Sequence, residues 1–218
     1  HFALDYLTQA NRASGGEPAA EEAVSAAGRR VLVIGGGDTG ADCIGTAVRQ
    51  GARSVHQVEI LPQPPVWEQP FNPQWPRWPN ILRSCSSHEE GCTRDWAVSV
   101  TRFSGRDLWV QQAHFVRVEW KPGHDGRWQP VDIPGSEFVL DVDLVLLAMG
   151  FLHVKHNRMI EELGVGLNAC GNIAVDEGYR TARRGVFAAG DACTGASLVV
   201  NAIAHGVGAA ASVAEFLS

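Results

Sequence analysis

Apolar residues along the chain fall into runs whose spacing predicts alternating strands and helices. Val31–Ile34 is an unbroken apolar run of strand length, and the stretch Asp38–Gln50 places Ala41, Ile44, Ala47 and Val48 at helical spacing before Gly51 stops it. Ser54–Ile60 reads as a second strand, so this region predicts a β-α-β unit. Ala97–Phe103 and Trp109–Trp120 alternate apolar and polar residues, and "KPGHDGRW" supplies a turn, which together predict an antiparallel meander. "DVDLVLLAMG" (Asp141–Gly150) returns to a buried strand. Beyond it the pattern predicts a short helix with a glycine stop in "NRMIEELGV", strands at "GNIAVD" and "GVFAAGD", and a long helix over "SLVVNAIAHGVGAAASVAEFL" with small residues on one face.

Two stretches break this alternation. Residues 1–29 open with a short helix or connector, where Phe2, Leu4 and Leu7 are apolar, and continue as a small, acidic, Gly-rich linker over Ala13–Gly28. Leu61–Arg83 holds seven prolines and three tryptophans, which excludes a regular helix or a central strand. Its aromatic content predicts an ordered irregular loop packed on the domain. Trp67, Trp75 and Trp78 either pack that loop or offer anchors to a partner.

Composition narrows the classes. A chain of 218 residues with 45% hydrophobic and 19% charged residues fits a globular protein of one domain or a domain and a half. A net charge of −6 argues against nucleic acid, which needs clustered Lys and Arg. No uninterrupted apolar run reaches the roughly 18 residues of a membrane span, and no signal peptide is visible. The expectation is a cytoplasmic protein without membrane contact. The five cysteines Cys43, Cys85, Cys92, Cys170 and Cys193 include no C-x-x-C pair, so a disulfide scaffold, a metal site and a dithiol redox centre are all poorly supported.

The candidate chemistry begins at Gly35-x-Gly37-x-x-Gly40, a motif lying between a strand and a helix. Gly35 allows the tight turn, Gly37 lets the backbone approach a pyrophosphate, and Gly40 lets the helix pack on the strand. Gly36, Asp38 and Thr39 complete the loop, whose N–H groups face the phosphates at the helix start. Glu59 ends the second strand, nineteen residues past Gly40. A carboxylate there accepts from ribose hydroxyls and repels a 2′-phosphate, which favours NADH over NADPH. Arg53 and His56 keep the opposite preference open, and a solvated strand-end carboxylate is the bland alternative for Glu59.

The stretch "VIGGGDTGADCIGTAVRQGARSVHQVEILPQPP", then "NPQWPRWP", His88-Glu89-Glu90, "LLAMGF" and "GVFAAGDACTGASLVVNAIAHG" follow one another in an order that resembles the small (β) subunit of glutamate synthase. The same order resembles the matching C-terminal region of single-chain glutamate synthases. The likeness runs from about Val31 to the C-terminus, and the Trp/Pro segment and the "SLVVNAI" ending are its most specific parts. The wider group includes the reductase part of dihydropyrimidine dehydrogenase and ferredoxin-NADP reductases of the adrenodoxin reductase type.

The resemblance implies an α/β fold: a Rossmann-like doubly wound parallel sheet with an antiparallel β-meander at residues 30–150, binding NAD(P)H. It also implies that 151–218 form the C-terminal part of a discontinuous FAD-binding domain. In that family the Asp of "GVFAAGD" binds FAD, a role that falls on Asp191, with Gly190 giving close approach. The helix starting at Ser197, Leu198 and Val199 would point at the flavin, and Gly150 would permit close backbone approach. Asp191 as an N-cap of the last helix is the structural alternative. The first flavin Gly-rich loop and the iron–sulfur cysteine clusters are not in this chain, which resembles the latter half of a subunit about twice its size.

What the resemblance implies for function is electron input: NAD(P)H gives a hydride to FAD, electrons pass through iron–sulfur centres not bound by this chain, and glutamate forms from glutamine and 2-oxoglutarate. The implied partner is the large glutamine-dependent subunit or the missing N-terminal half of the same chain. No catalytic acid is implied, since hydride transfer depends on alignment. His88 and Glu89 are candidate nicotinamide-side or interface contacts. Two departures stand out: "ACTGAS" (Ala192–Ser197) replaces the family's Arg-Arg-Gly-Gln, and Asn201 replaces a common Trp. The competing readings are another FAD/NAD(P)H reductase of the same fold, such as one like thioredoxin reductase, and a non-catalytic nucleotide-binding docking module.

Overall fold

The computed structural model describes residues 1–18, 23–74 and 79–218. These divide into two compact units, His1–Met149 and Gly150–Ser218.

The first unit opens with α1 (Ala3–Ser14), then β1 (Arg30–Ile34), α2 (Asp38–Arg49) and β2 (Ser54–Glu59). After the Pro/Trp-rich loop come α3 (Ser86–Glu89), β3 (Thr93–Trp96), β4 (Val98–Arg106), β5 (Trp109–Pro122), β6 (Trp128–Asp132), β7 (Phe138–Asp141) and β8 (Leu144–Leu147). A parallel sheet takes the order β3-β2-β1-β8, with Val31 opposite both Val55 and Leu144. In an antiparallel sheet the long strand β5 pairs with β4, β6 and β7. The expected β-α-β unit and meander are both present.

The parallel sheet is covered on both faces, which is why β1 and β8 are apolar without alternation. On one side Val31, Val33, Leu144 and Leu146 pack with Cys43, Ile44 and Ala47 of α2 and with Ala3 and Tyr6 of α1. On the other, Leu32 and Val58 meet Val98, Ala113 and Phe115 of the antiparallel sheet. At the strand starts, Arg30 donates through Nε and Nη2 to the two carboxylate oxygens of Asp143, at 2.9 and 2.7 Å, which pulls Asp143 down to about 2.

The stretch expected as a short helix or connector forms α1, and its residues Ala3 and Tyr6, with Ala26 further on, belong to the core. Tyr6 is fully buried, and its hydroxyl donates to Gln50 Oε1 at 3.0 Å. Burial pushes the Tyr6 phenol up to about 12. The sequence pattern hid this docking because the apolar Phe2 and Leu4 are exposed while the small Ala3 and the hydroxyl-bearing Tyr6 are buried. The Pro/Trp-rich loop is irregular, as expected, and is tied to the domain at its ends, where the Leu61 carbonyl accepts from Ala97 N at 2.9 Å and the Arg83 carbonyl from Arg94 Nη1 at 3.1 Å. Within it Trp67 Nε1 donates to the Phe71 carbonyl at 2.9 Å, and the two rings meet edge to face at 5.5 Å. That segment packs on itself, while Val66 and Phe71 stand exposed. Trp75 and Trp78 lie outside the described residues.

The second unit contains α4 (Arg158–Leu163), α5 (Asp191–Thr194) and α6 (Val199–Leu217), and its small buried cluster of Ile160, Val165, Ile173, Ala188 and Cys193 draws no residue from α6. Gly164 ends α4 in a left-handed conformation at φ 61°, the expected glycine stop. The strands expected at "GNIAVD" and "GVFAAGD" do not form. Among the described residues the unit has only the isolated bridges Leu167–Ile173 and Arg180–Phe187. A strand needs a neighbour to take up its N–H and C=O groups, and apolar alternation alone does not supply one. Helix α6 has no buried residue, and its 19 residues with mean hydropathy 1.3 are long and apolar enough to cross a membrane by length and composition alone. Asn201, His205 and Glu215 interrupt the run, so the sequence pattern did not single it out; a core helix of ordinary globular packing meets the same test.

Candidate functional site

The Gly-rich loop leaves β1 at the carboxyl edge of the parallel sheet and enters α2, the place where open α/β sheets bind ligands. Its entry is clamped from both neighbouring strands: Gly35 N donates to the Val58 carbonyl at 2.9 Å, and Ala148 N donates to the Ile34 carbonyl at 2.8 Å. Gly35 has φ +122°, and a Cβ there would overlap the Ala148 carbonyl. A side chain is excluded by both conformation and space. Gly40 is buried, and a Cβ there would run into the Gly35 carbonyl, so α2 starts close against the strand.

Gly37 is different. It is the N-cap of α2, in extended conformation at φ −83°, exposed, with nothing within 4 Å of where a Cβ would stand. No side chain caps α2. The first-turn N–H groups around Asp38, Thr39 and Gly40 therefore face an open space at the positive end of a 12-residue helix. The two structural glycines fix the turn, while the third leaves room for a group outside the chain. This arrangement fits a pyrophosphate.

Glu59 reaches back from the end of β2 to the same loop. Its Oε2 accepts from Gly36 N at 2.5 Å and its Oε1 from Leu61 N at 3.0 Å. The carboxylate is thus placed beside the loop, not left as a free strand-end charge. Arg53 precedes the first residue of β2, at the opposite end of the strand. His56 sits mid-strand, 3.8 Å from Asp95, which pairs with Arg117 at 3.1 Å. Burial holds the His56 imidazole below its usual range, with Asp95 opposing. Neither residue is placed at the Glu59 end of the strand.

His88 lies on α3, which packs on α2 where Gly45 lets Ser87 come close. Its Nδ1 accepts from Cys85 N at 3.2 Å and lies 3.2 Å from Cys85 Sγ. Burial lowers the His88 imidazole, Arg94 adds to that, and Asp38 opposes it. Glu89 is exposed, and its neighbour Glu90 pairs with Arg49 at 2.5 Å. His88 is therefore committed to its own helix cap.

Sequence reasoning missed Gln57 and Arg94. The Gln57 side chain is buried in β2 and donates through Nε2 to the Gly35 carbonyl at 2.8 Å. Arg94 on β3 donates through Nε to Gln57 Oε1 at 3.1 Å. The available signal was a polar residue in a strand that must be covered on both faces.

In the second unit Gly190 has φ 62° and ψ −144°, and its close neighbour is Ala202 of α6, 3.3 Å from a would-be Cβ. Asp191 begins α5 and accepts from Ser197 N at 3.2 Å and Ser197 Oγ at 3.4 Å. It does not cap α6: the N-cap there is Leu198, with no side-chain bond. Ser197, Leu198 and Val199 are exposed at the start of α6, and Gly150 is exposed at φ +83°. Asp191 and the start of α6 thus lie together, joined through Ser197. They hold no Gly-rich loop, so these residues fit a part of a flavin and not the whole.

With this geometry in place, the comparisons with known proteins are specific. The pattern of the family described as pyridine nucleotide-disulphide oxidoreductase matches residues 1–206. A Mycobacterium tuberculosis protein named glutamate synthase (NADPH) small chain is 43% identical over 223 residues, covering all of this chain and 44% of the relative. A Saccharomyces cerevisiae protein named glutamate synthase (NADH) is 40% identical over 209 residues, covering 87% of this chain and 9% of the relative. The chain spans under half the length of the first of these. Among solved structures, T. acidophilum thioredoxin reductase superposes with a TM-score of 0.57 at 22% identity, covering 88% of this chain and 54% of that one. Mycobacterium tuberculosis FprA in complex with NADPH gives 0.59 at 14% identity, covering 88% and 53%. At these identities the two structures speak for the fold alone.

Proposed function

The chain belongs to the pyridine nucleotide-disulphide oxidoreductase family, and from that premise we propose that it is the electron-input part of a glutamate synthase, an NAD(P)H-dependent flavin oxidoreductase. The observation that carries this reading is the open Gly37 position between two sterically obligatory glycines. It joins a likeness to glutamate synthase small chains over the whole of this sequence.

In this reading the α2 start, from Gly37 to Gly40, binds the pyrophosphate, and the Glu59 carboxylate orients the adenine ribose. Bound NAD(P)H supplies the hydride. A carboxylate at the end of β2 would repel a 2′-phosphate, which supports NADH as the preferred nucleotide. Gly190, Asp191 and the residues Ser197–Val199 hold part of FAD in the complete protein, and Gly150 permits close backbone approach. The positive end of α6 favours negative charge there. The iron–sulfur centres belong to the rest of the enzyme. The partner is a large glutamine-dependent subunit or further sequence of the same polypeptide, and glutamate is the product. The five cysteines, all free, suit the reducing cytoplasm, where we place the protein.

Calorimetric titration of the 218-residue chain with NADH, NADPH and FAD tests this. NADH binds more tightly than NADPH, and Glu59→Ala narrows the ratio. Gly37→Val removes binding of both nucleotides. The extended backbone accepts valine, so the change costs the fold under about 1 kcal/mol. Wild-type affinity in Gly37→Val would remove the loop assignment.

A further inference from the structure

Gln57 and Asn172 are the two buried polar residues among those described, and Gln57 is 2% exposed. Its place is unusual for an amide. It lies in the parallel strand β2, directly opposite Arg94 of β3, with β1 on its other side. The Gly35 carbonyl to which it donates belongs to the first residue past β1, where the positive φ turns the chain out of the sheet. Arg94 carries the connection outward: its Nη1 donates to the Arg83 carbonyl at 3.1 Å and to Ser84 Oγ at 3.4 Å. Its guanidinium also lies over the Trp96 ring at 4.9 Å.

The chemistry of the pair fixes its direction. Arginine has donors and no acceptor, so Gln57 must present Oε1 to Arg94 and its NH2 group to Gly35. Arg94 is itself held by the Trp96 face and the chain before α3. Three consecutive glycines have more conformational freedom to lose than any other tripeptide. A buried bond to the first of them sets the direction of the Gly35 carbonyl, and with it the peptide plane that aims the following N–H groups. Binding is tighter when such ordering precedes the ligand.

We propose that Gln57 is a positioning residue for the nucleotide loop, oriented by Arg94, and that the two hold the Gly35–Gly40 backbone in its pyrophosphate-binding shape before nucleotide arrives. The inference rests on the reading of that loop as the nucleotide site.

The test compares wild type, Gln57→Met and Arg94→Lys in the 218-residue chain. Methionine keeps the volume and removes both bonds. Lysine keeps the charge and loses the fixed Nε–H. Two quantities are read: the Kd for NADH and for ADP-ribose by calorimetry well below each thermal midpoint, and the midpoint without nucleotide. Gln57→Met weakens both ligands about tenfold in the folded chain, the scale of one or two net hydrogen bonds. Arg94→Lys weakens them about threefold, as expected when one hydrogen bond is loosened but not removed. A merely structural role would lower the midpoint and leave Kd unchanged. Wild-type affinity in folded Gln57→Met overturns the inference. Should that chain not fold, wild-type affinity in Arg94→Lys does so. A wild-type chain that binds neither NADH nor ADP-ribose overturns the nucleotide reading and the inference with it, an outcome distinct from wild type and variants binding equally well.

Discussion

In β1 the side chains of Val31, Leu32 and Val33 are at most 2% exposed, whereas in α6 Val199, Val200, Ile203 and Val207 are each between 62% and 74% exposed. The residue types are alike, so hydrophobicity does not account for the contrast. β1 lies between β2 and β8 with α2 and the antiparallel sheet on its faces, while no residue of α6 is buried. The first unit therefore covers the apolar residues of β1 with its own chain, whereas the second leaves α6 uncovered by itself. It follows that core substitutions should damage the first unit strongly and the α6 face hardly at all.

All seven tryptophans lie between residues 67 and 128, so tryptophan fluorescence during urea unfolding reports the first unit alone. Leu146→Ala, fully buried between the parallel sheet and its helices, destabilises that signal by about 2–5 kcal/mol. Val207→Ser on α6 shifts the far-UV helical signal, to which the 19-residue α6 contributes, by less than about 0.5 kcal/mol. Equal effects from the two would break the contrast. A smaller loss follows from Gly35→Ala, about 1–3 kcal/mol for a side chain forced into a positive-φ position. That loss sharpens the distinction drawn above, because Gly37→Val in the same motif removes ligand binding and spares the fold.

The smallest effect is on pH dependence. Burial holds His56 below its ordinary range, so the unfolded chain takes up a proton first as pH falls. Stability of the first unit is full above the ordinary histidine value of about 6.5 and declines as pH falls through it toward the lowered native value. Asp95 opposes the shift without reversing it, and His88, also held low by burial, adds to the same slope. His56→Gln should flatten the urea midpoint between about pH 5 and 7, and an unchanged slope would assign the effect elsewhere.

How much of this was legible in the sequence depends on how local the cause is. Strand β1, helix α2 and strand β2 were readable because their periodicity and the glycine punctuation lie within 30 consecutive residues. β3, the four residues Thr93–Trp96, was not: it is short, polar and charged, and becomes a strand by lying beside β2. The docking of α1 was equally hidden, since Tyr6 is buried against residues far along the chain. The two strands expected in the second unit failed for the converse reason, an apolar pattern without a pairing neighbour. At the site, the glycines and Glu59 carry a recognisable spacing. Gln57 does not, because its role depends on the Gly35 carbonyl and the Arg94 guanidinium meeting on either side of it.

One feature at the margin of the first unit bears on how such a unit can be built into larger chains. The His1 carbonyl accepts from Leu147 N at 2.9 Å, and Phe2 bridges Leu147. Residues near 1 and near 149 thus leave the unit side by side. A body with adjoining ends can be spliced into a loop of another protein through a single point of attachment, and it can equally be circularised there and reopened at a surface turn such as 123–126 without altering the order of its sheet.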